Sequence, residues 1–106
     1  MAELKKVISL LGIAKKAGKV IAGTEMAVES VRSGKKDAVK LLLLASDASA
    51  NTLKRIENTG AYYGIPVIRL ETDKAELARV IGKQSLVSAL GVTDQGFCDA
   101  MLKAAT

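Results

Sequence analysis

No histidine occurs in this chain. The commonest general base and the commonest metal ligand are therefore both missing. A single cysteine, Cys98, excludes an internal disulfide and, without histidine, a structural zinc site; it suits a reducing compartment. Aromatics are nearly as scarce, with only Tyr62, Tyr63 and Phe97 present, so the core must be built from Leu, Val, Ile and Ala. No apolar run approaches the ~20 residues needed to span a bilayer. The opening Met1-Ala2-Glu3-Leu4-Lys5-Lys6 lacks the apolar stretch and small-residue cleavage site of a signal peptide. One proline and nine glycines beside 49% apolar content exclude a disordered chain. These absences predict a cytoplasmic protein with one domain over residues 1–106, no metal site, no cofactor, no small-molecule substrate and no membrane contact.

What is present is lysine, unevenly placed. The net charge is +5, but residues 1–55 carry eleven Lys/Arg against five Asp/Glu, and residues 56–106 carry five against six. A basic face built by the first half fits a polyanionic partner. Lysines that merely keep a small protein soluble would give the same count.

The chain alternates between two periods. Leu4, Val7, Ile8, Leu11 and Ala14 follow helical spacing, and Gly18 ends that helix with lysines in its last turn. Val20-Ile21-Ala22 is a short strand. Thr24 is placed to N-cap a second helix that turns Ala27, Val28 and Val31 inward and stops at Gly34. Leu41–Ala45 is a continuous apolar run, the mark of a strand covered on both faces. A third helix is predicted over about Ser49–Tyr63, burying Leu53, Ile56 and Tyr63. Ile65–Arg69 is then a strand with Pro66 at its start or on an edge. Asp73-Lys74-Ala75-Glu76 resembles a capping box for a helix closed by Gly82. Leu86–Val92 is the last strand, and Thr93 or Asp94 caps a final helix carrying Phe97 and Met101. The order implies a three-layer α/β/α sandwich around a small, mixed sheet of about four strands.

Enzyme signatures fail, and no catalytic residue is assigned. Gly12 to Gly18-Lys19 superficially resembles a phosphate-binding P-loop, but it has five residues between the glycines instead of four. Val20 also stands where Ser or Thr should hold magnesium. Asp47 follows a buried strand, where open α/β sheets place ligand groups; the plainer role is a turn or cap into the helix near Ser49. Cys98 reads as a buried helix residue, with no neighbouring cation evident to activate it. Tyr62-Tyr63 offers a surface for stacking on bases, or else one ring packs in the core and the other lies half-exposed. The Gly18–Gly23 pair around a helix start lets another backbone approach and presents unpaired N–H groups to an anion.

Gly18-Lys19-Val20-Ile21-Ala22-Gly23, Val31-Arg32-Ser33-Gly34-Lys35, Ala45-Ser46-Asp47-Ala48-Ser49, Asn51-Thr52 and Tyr62-Tyr63-Gly64-Ile65-Pro66-Val67 together resemble the kink-turn-binding ribosomal-protein family of L-seven-Ae and L-thirty-e type. Within it the small bacterial YlxQ-like branch is most similar. The likeness continues through Leu77–Lys83 and Thr93–Phe97, nearly the whole chain.

The resemblance implies a non-catalytic module that binds structured RNA, with a ribosome or another ribonucleoprotein as its setting. Its members grip a kink-turn, a sharply bent duplex with tandem sheared G·A pairs and an extruded nucleotide. By the same resemblance the contacts map onto Lys19, Gly23 and Thr24, with Glu25, Met26 and Glu29 on the following turn. Ser49 and Leu53 map onto the loop cradling the extruded nucleotide, and Leu70, Glu71 and Thr72 onto the loop before the fourth helix. Lys15, Lys16, Lys35 and Lys36 would add nonspecific phosphate contacts. The chain departs from the pattern at Met26, which cannot accept a hydrogen bond from a base as Glu or Gln would. It departs again at Glu29, where the family carries lysine. Two alternatives therefore stand beside RNA binding: a protein-interaction module of the same fold with weakened RNA binding, and a nucleotide-binding α/β domain using Asp47.

Overall fold

The computed structural model describes residues 4–105. Residues 1–3, on which the leader reading partly rests, and the side chain of Leu4 lie outside the described residues. Helix α1 (Leu4–Lys16) turns Val7, Leu11 and Ala14 into the core, one residue per turn, and a tight turn through Gly18 at φ 74° leads into strand β1 (Val20–Ala22). Helix α2 (Thr24–Ser33) buries Ala27, Val28 and Val31 and ends at left-handed Gly34. Strand β2 (Leu41–Leu44) is followed by helix α3 (Ala50–Tyr63), strand β3 (Val67–Arg69), helix α4 (Lys74–Val80), strand β4 (Ala89–Val92) and helix α5 (Gln95–Ala105).

The sheet order is β1-β4-β2-β3. β4 runs antiparallel to both its neighbours, whereas β2 and β3 are parallel. The sheet is thus mixed, and it is covered on both faces. Leu41 and Leu43 pack with α1, α4 and α5, while Leu42 and Leu44 pack with α2 and α3. A strand points successive side chains to opposite faces, which is why a fully covered strand needs leucine at all four positions. The result is the expected α/β/α sandwich.

The elements shift at several predicted points. Tyr63 is not buried: at 42% exposure it joins Tyr62 (82%) on the surface, the two rings edge to face. β4 begins at Ala89, leaving Leu86 exposed in the preceding loop, and β3 begins at Val67, after Pro66. β3 is an edge strand, so Pro66 costs the ladder no donor, and its carbonyl accepts from the Leu42 N–H. Asp94, not Thr93, caps α5 by accepting from the Phe97 N–H.

The insertion of β4 between β1 and β2 positions every loop. Because β4 opposes both, β1, β2 and β3 all point the same way. Their carboxyl ends, and with them the starts of α2, α3 and α4, gather at one end of the molecule together with the entry to β4. The carboxyl ends of α1, α2 and α3 gather at the other.

Candidate nucleic-acid interface

The end bearing the helix starts is tied together by backbone and side-chain hydrogen bonds between its loops. Gly23 N–H donates to the Ala89 carbonyl, Ala45 N–H to Ser88, and Ser46 N–H to Thr72, at 2.8–2.9 Å. Asp47 Oδ1 accepts from the Lys74 N–H at 2.8 Å. Asp47 lies in the turn leading to α3, as read from sequence, but its carboxylate does not cap that helix: it ties the β2–α3 loop to the start of α4. Ser49 caps α3 instead, its hydroxyl accepting from the Thr52 N–H.

Three of the helix starts are closed by side chains. Ser49 serves α3, Asp73 accepts from Glu76 N–H at α4, and Asp94 serves α5. α2 differs. Thr24 lies inside the helix and does not cap it; Gly23 holds that place at φ 101° and ψ 141°, with no side-chain cap. Only glycine occupies such a conformation at little cost. The first N–H groups of α2 therefore face outward with a partial positive charge and no carboxylate or hydroxyl on them.

Around this open helix start stand most of the predicted contacts. Glu25 leans toward α3, where Arg55 Nη2 meets its Oε1 at 2.8 Å. Arg55 was not foreseen, since 30 residues separate the partners and no local pattern links them. It neutralises one of the two acids on α2 and brings a guanidinium to the interface. Met26 is 65% exposed, and Glu29 lies exposed one turn further along. Both line a groove of about 320 Å³ with Ile21, Ser30 and Lys35. Ser49 is exposed, and Glu71 and Thr72 sit beside Lys5, Ser9 and Glu76 around a second groove, of about 520 Å³. The exposed Leu86 joins this end, because the next residue, Val87, donates its N–H to the Lys74 carbonyl. Its place in Leu86-Val87 made it look like strand, which concealed it.

Other predicted contacts are packed into the core or lie elsewhere. Leu70 is 3% exposed and packs in the α1/α4/α5 core, so its side chain offers nothing to a ligand. Leu53 stays at the interface end, in the first turn of α3 with its N–H on the Ser49 carbonyl, but it is in a helix, not a loop, and packs half-buried against the α2/α3 core. Lys19 precedes β1 and therefore stands at the opposite end of the sheet, as do Lys15, Lys16, Lys35 and Lys36. Cys98 is fully buried, and burial pushes its thiol up to about 11 against the weaker opposing pull of Lys40. It is a packing residue. Among the described residues no cluster of acidic, cysteine or histidine side chains could hold a metal ion, and no helix is long and apolar enough to cross a membrane.

The chain matches known proteins over most of its length. The model of the ribosomal protein L7Ae/L30e/S12e/Gadd45 family matches residues 5–102. The RNA-binding protein YlxQ of Bacillus subtilis (strain 168) is 39% identical over 93 residues, 88% of this chain and 88% of that protein. The large ribosomal subunit protein eL30 of Methanosarcina mazei is 32% identical over 86 residues, 81% of this chain and 77% of that one. A solved structure of a Bacillus halodurans protein of unknown function superposes with a TM-score of 0.85 at 34% identity, covering 94% of this chain and 96% of the other.

Proposed function

The chain belongs to the ribosomal protein L7Ae/L30e/S12e/Gadd45 family, and from that premise we propose that it is a non-catalytic protein that binds kink-turn RNA through the open start of α2. One observation carries the reading: among helices α2 to α5, α2 alone begins on a positive-φ glycine without a side-chain cap. That opening sits where three loops converge. A-form RNA hides its bases in a narrow groove, but a kink opens that groove and splays a nucleotide out. The Gly23–Met26 backbone can meet phosphate there, while Glu25, held by Arg55, accepts from a base amino group. Ser49, Glu71 and Thr72 flank the extruded nucleotide, and Leu86 supplies an apolar edge. The YlxQ and eL30 relatives, named for RNA binding and for the ribosome, support a ribosomal or ribonucleoprotein setting.

The bond from the Lys74 backbone N–H gives Asp47 a structural role and so weakens the case for the nucleotide-binding alternative. Backbone amide shifts on adding a kink-turn RNA test the site. The expected result is movement at 23–26, 46–51, 71–74 and 86–88 with little at 34–40. Movement confined to 26–38, along the Met26–Glu29 groove, would favour the protein-interaction reading.

Glu29 sets the strength of the complex. It makes no ion pair among the described residues and faces out beside the proposed phosphate path. Glu29→Lys exchanges a repulsion for an attraction and is expected to tighten kink-turn binding roughly threefold to tenfold at low salt, with the gain shrinking as salt rises. Unchanged or weaker binding across a salt series would remove this face of α2 from the contact.

A further inference from the structure

The molecule is divided by charge as clearly as by its loops. At the end opposite the open helix start lie Lys15 and Lys16 in the last turn of α1, Lys19 before β1, and Arg32 in the last turn of α2. Lys35 and Lys36 follow α2, and Lys40 leads into β2. The acids at this end among the described residues are Asp37, Asp94 and Asp99; Asp94 is committed to capping α5, and Asp99 accepts from the Gln95 side chain. Seven cations against three acids leave a surplus of four, most of the whole chain's net charge of +5.

Helix ends account for only part of this. The three helix carboxyl ends here carry about half a negative charge each and the start of α5 about half a positive one, roughly −1 in all, which leaves most of the surplus unanswered. The presenting backbone is also fixed. The Lys40 ammonium donates to the carbonyls of Lys36 (2.8 Å), Ala38 (3.1 Å) and Thr93 (3.2 Å), which pins the α2–β2 loop to the end of β4. Val39 N–H donates to Ser30 Oγ, securing the same loop to α2. Lys15, Lys16, Lys19, Lys35 and Lys36 remain exposed, and none makes an ion pair among the described residues.

We infer that this basic end is a second RNA-binding surface, which takes the phosphate backbone of a duplex separate from the one held at the start of α2. The surface itself stands on its charge. That one domain thereby bridges two RNA segments rests on the function proposed above. Flexible point charges fit phosphates and read no bases. An acidic protein would want an aromatic or apolar anchor at the centre of the patch; the segments joining these lysines offer Ala17, Gly18 and Gly34, and the exposed apolar side chains of this end, Ile13 on α1 and the two tyrosines closing α3, belong to helices and not to those segments. Tyr62 and Tyr63 lie at the end of α3, toward edge strand β3. The domain is about 29 Å across, so two duplexes bound at its ends would not overlap.

The test uses the full chain saturated with an unlabelled kink-turn RNA and titrated with a labelled plain RNA duplex lacking G·A pairs. The variant neutralises the five lysines (Lys15→Gln, Lys16→Gln, Lys19→Gln, Lys35→Gln and Lys36→Gln). A milder Lys35→Gln/Lys36→Gln pair is measured beside it in case the larger set disturbs folding. The expected result is a ternary complex with the native chain. The five-lysine variant should bind the plain duplex at least tenfold more weakly, with a salt slope shallower by about 4, and the pair should fall between. Kink-turn affinity should change less than threefold in every case. Displacement of the plain duplex by the kink-turn RNA, or unchanged duplex affinity in both variants, would overturn the second surface. A poly-glutamate chain binding as tightly as the duplex would assign the patch to an acidic protein and overturn the RNA assignment. Lysine-dependent duplex binding by a chain that ignores the kink-turn would sink the function proposed above and leave this surface standing.

Discussion

Gly23→Ala is expected to lower affinity for a kink-turn RNA by about 30-fold, near 2 kcal/mol, and to destabilise the fold by roughly 1–3 kcal/mol. The cause is conformational and not steric, because a Cβ built at Gly23 meets nothing within 4 Å. At φ 101° and ψ 141°, however, an L residue is strained wherever there is room for it. The backbone is held on both sides: Gly23 N–H donates to Ala89 and its carbonyl accepts from Ala27 N–H. Alanine must therefore either bear the strain or release one of these bonds and swing the start of α2. Either route redirects the N–H groups of Thr24, Glu25 and Met26. Chemical denaturation and RNA titration on the same sample check both halves, and a stable variant with native affinity would refute the role given to this glycine.

Gly60→Ala should do the reverse, harming the fold and sparing the interface. A Cβ there would stand 2.7 Å from the Ile65 carbonyl oxygen and 2.7 Å from Val67 Cγ2. The valine methyl could turn aside, but the carbonyl belongs to backbone whose own N–H is bonded to the Gly60 carbonyl at 2.8 Å. α3 would have to lift off the entry to β3. Overpacking of this kind costs about 1–3 kcal/mol, and because the obstacle is backbone the upper part of that range is expected. For a domain of this size that is a fall in Tm of roughly 10–20 °C. The close approach lies at the carboxyl end of α3, so the protein that remains folded should bind kink-turn RNA within twofold of native. A large loss of affinity without loss of stability would mean that the two ends of the domain are coupled.

The contrast between these glycines shows what a sequence reader can and cannot see. Leu41–Leu44 announces a strand covered on both faces because four consecutive leucines have no other economical place in a small protein, and the structure buries all four. The inward set of α2 and the cap at Asp73 follow from spacing and short-range chemistry in the same way. Gly23 and Thr24 are harder, since either suits a helix start and the choice falls to the ladder bond with Ala89 in another strand. Tyr63 looks like core by helical spacing, but it is the last residue of α3 and stands 42% exposed. Asp47 and Lys74 meet across 27 residues, and Glu25 and Arg55 across 30. Such pairs leave no local trace.

The candidate site was legible through resemblance more than through the residues themselves, and its geometry was not legible at all. Lys19 and Gly23 are four residues apart and read in the sequence as one binding loop. β1 lies between them, and so they face opposite ends of the molecule. The basic half of the sequence accordingly becomes a basic end of the fold, remote from the loops that carry the family resemblance. Leu70 looked equally available beside Glu71 and Thr72, but it is the residue at which the chain leaving β3 turns back into the core.

The most direct test of the account is a titration of the protein into a labelled kink-turn RNA, beside the same RNA with its G·A pairs converted to Watson–Crick pairs. The measurement is made near 0.15 M salt, where surface charge is screened beyond about 8 Å. Recognition through the open start of α2 predicts at least tenfold preference for the kinked RNA, about 1.4 kcal/mol, lost in Gly23→Ala and kept in Gly60→Ala. Equal affinity for the two RNAs, falling steeply and in parallel as salt rises, would contradict it and leave only the lysines holding phosphate.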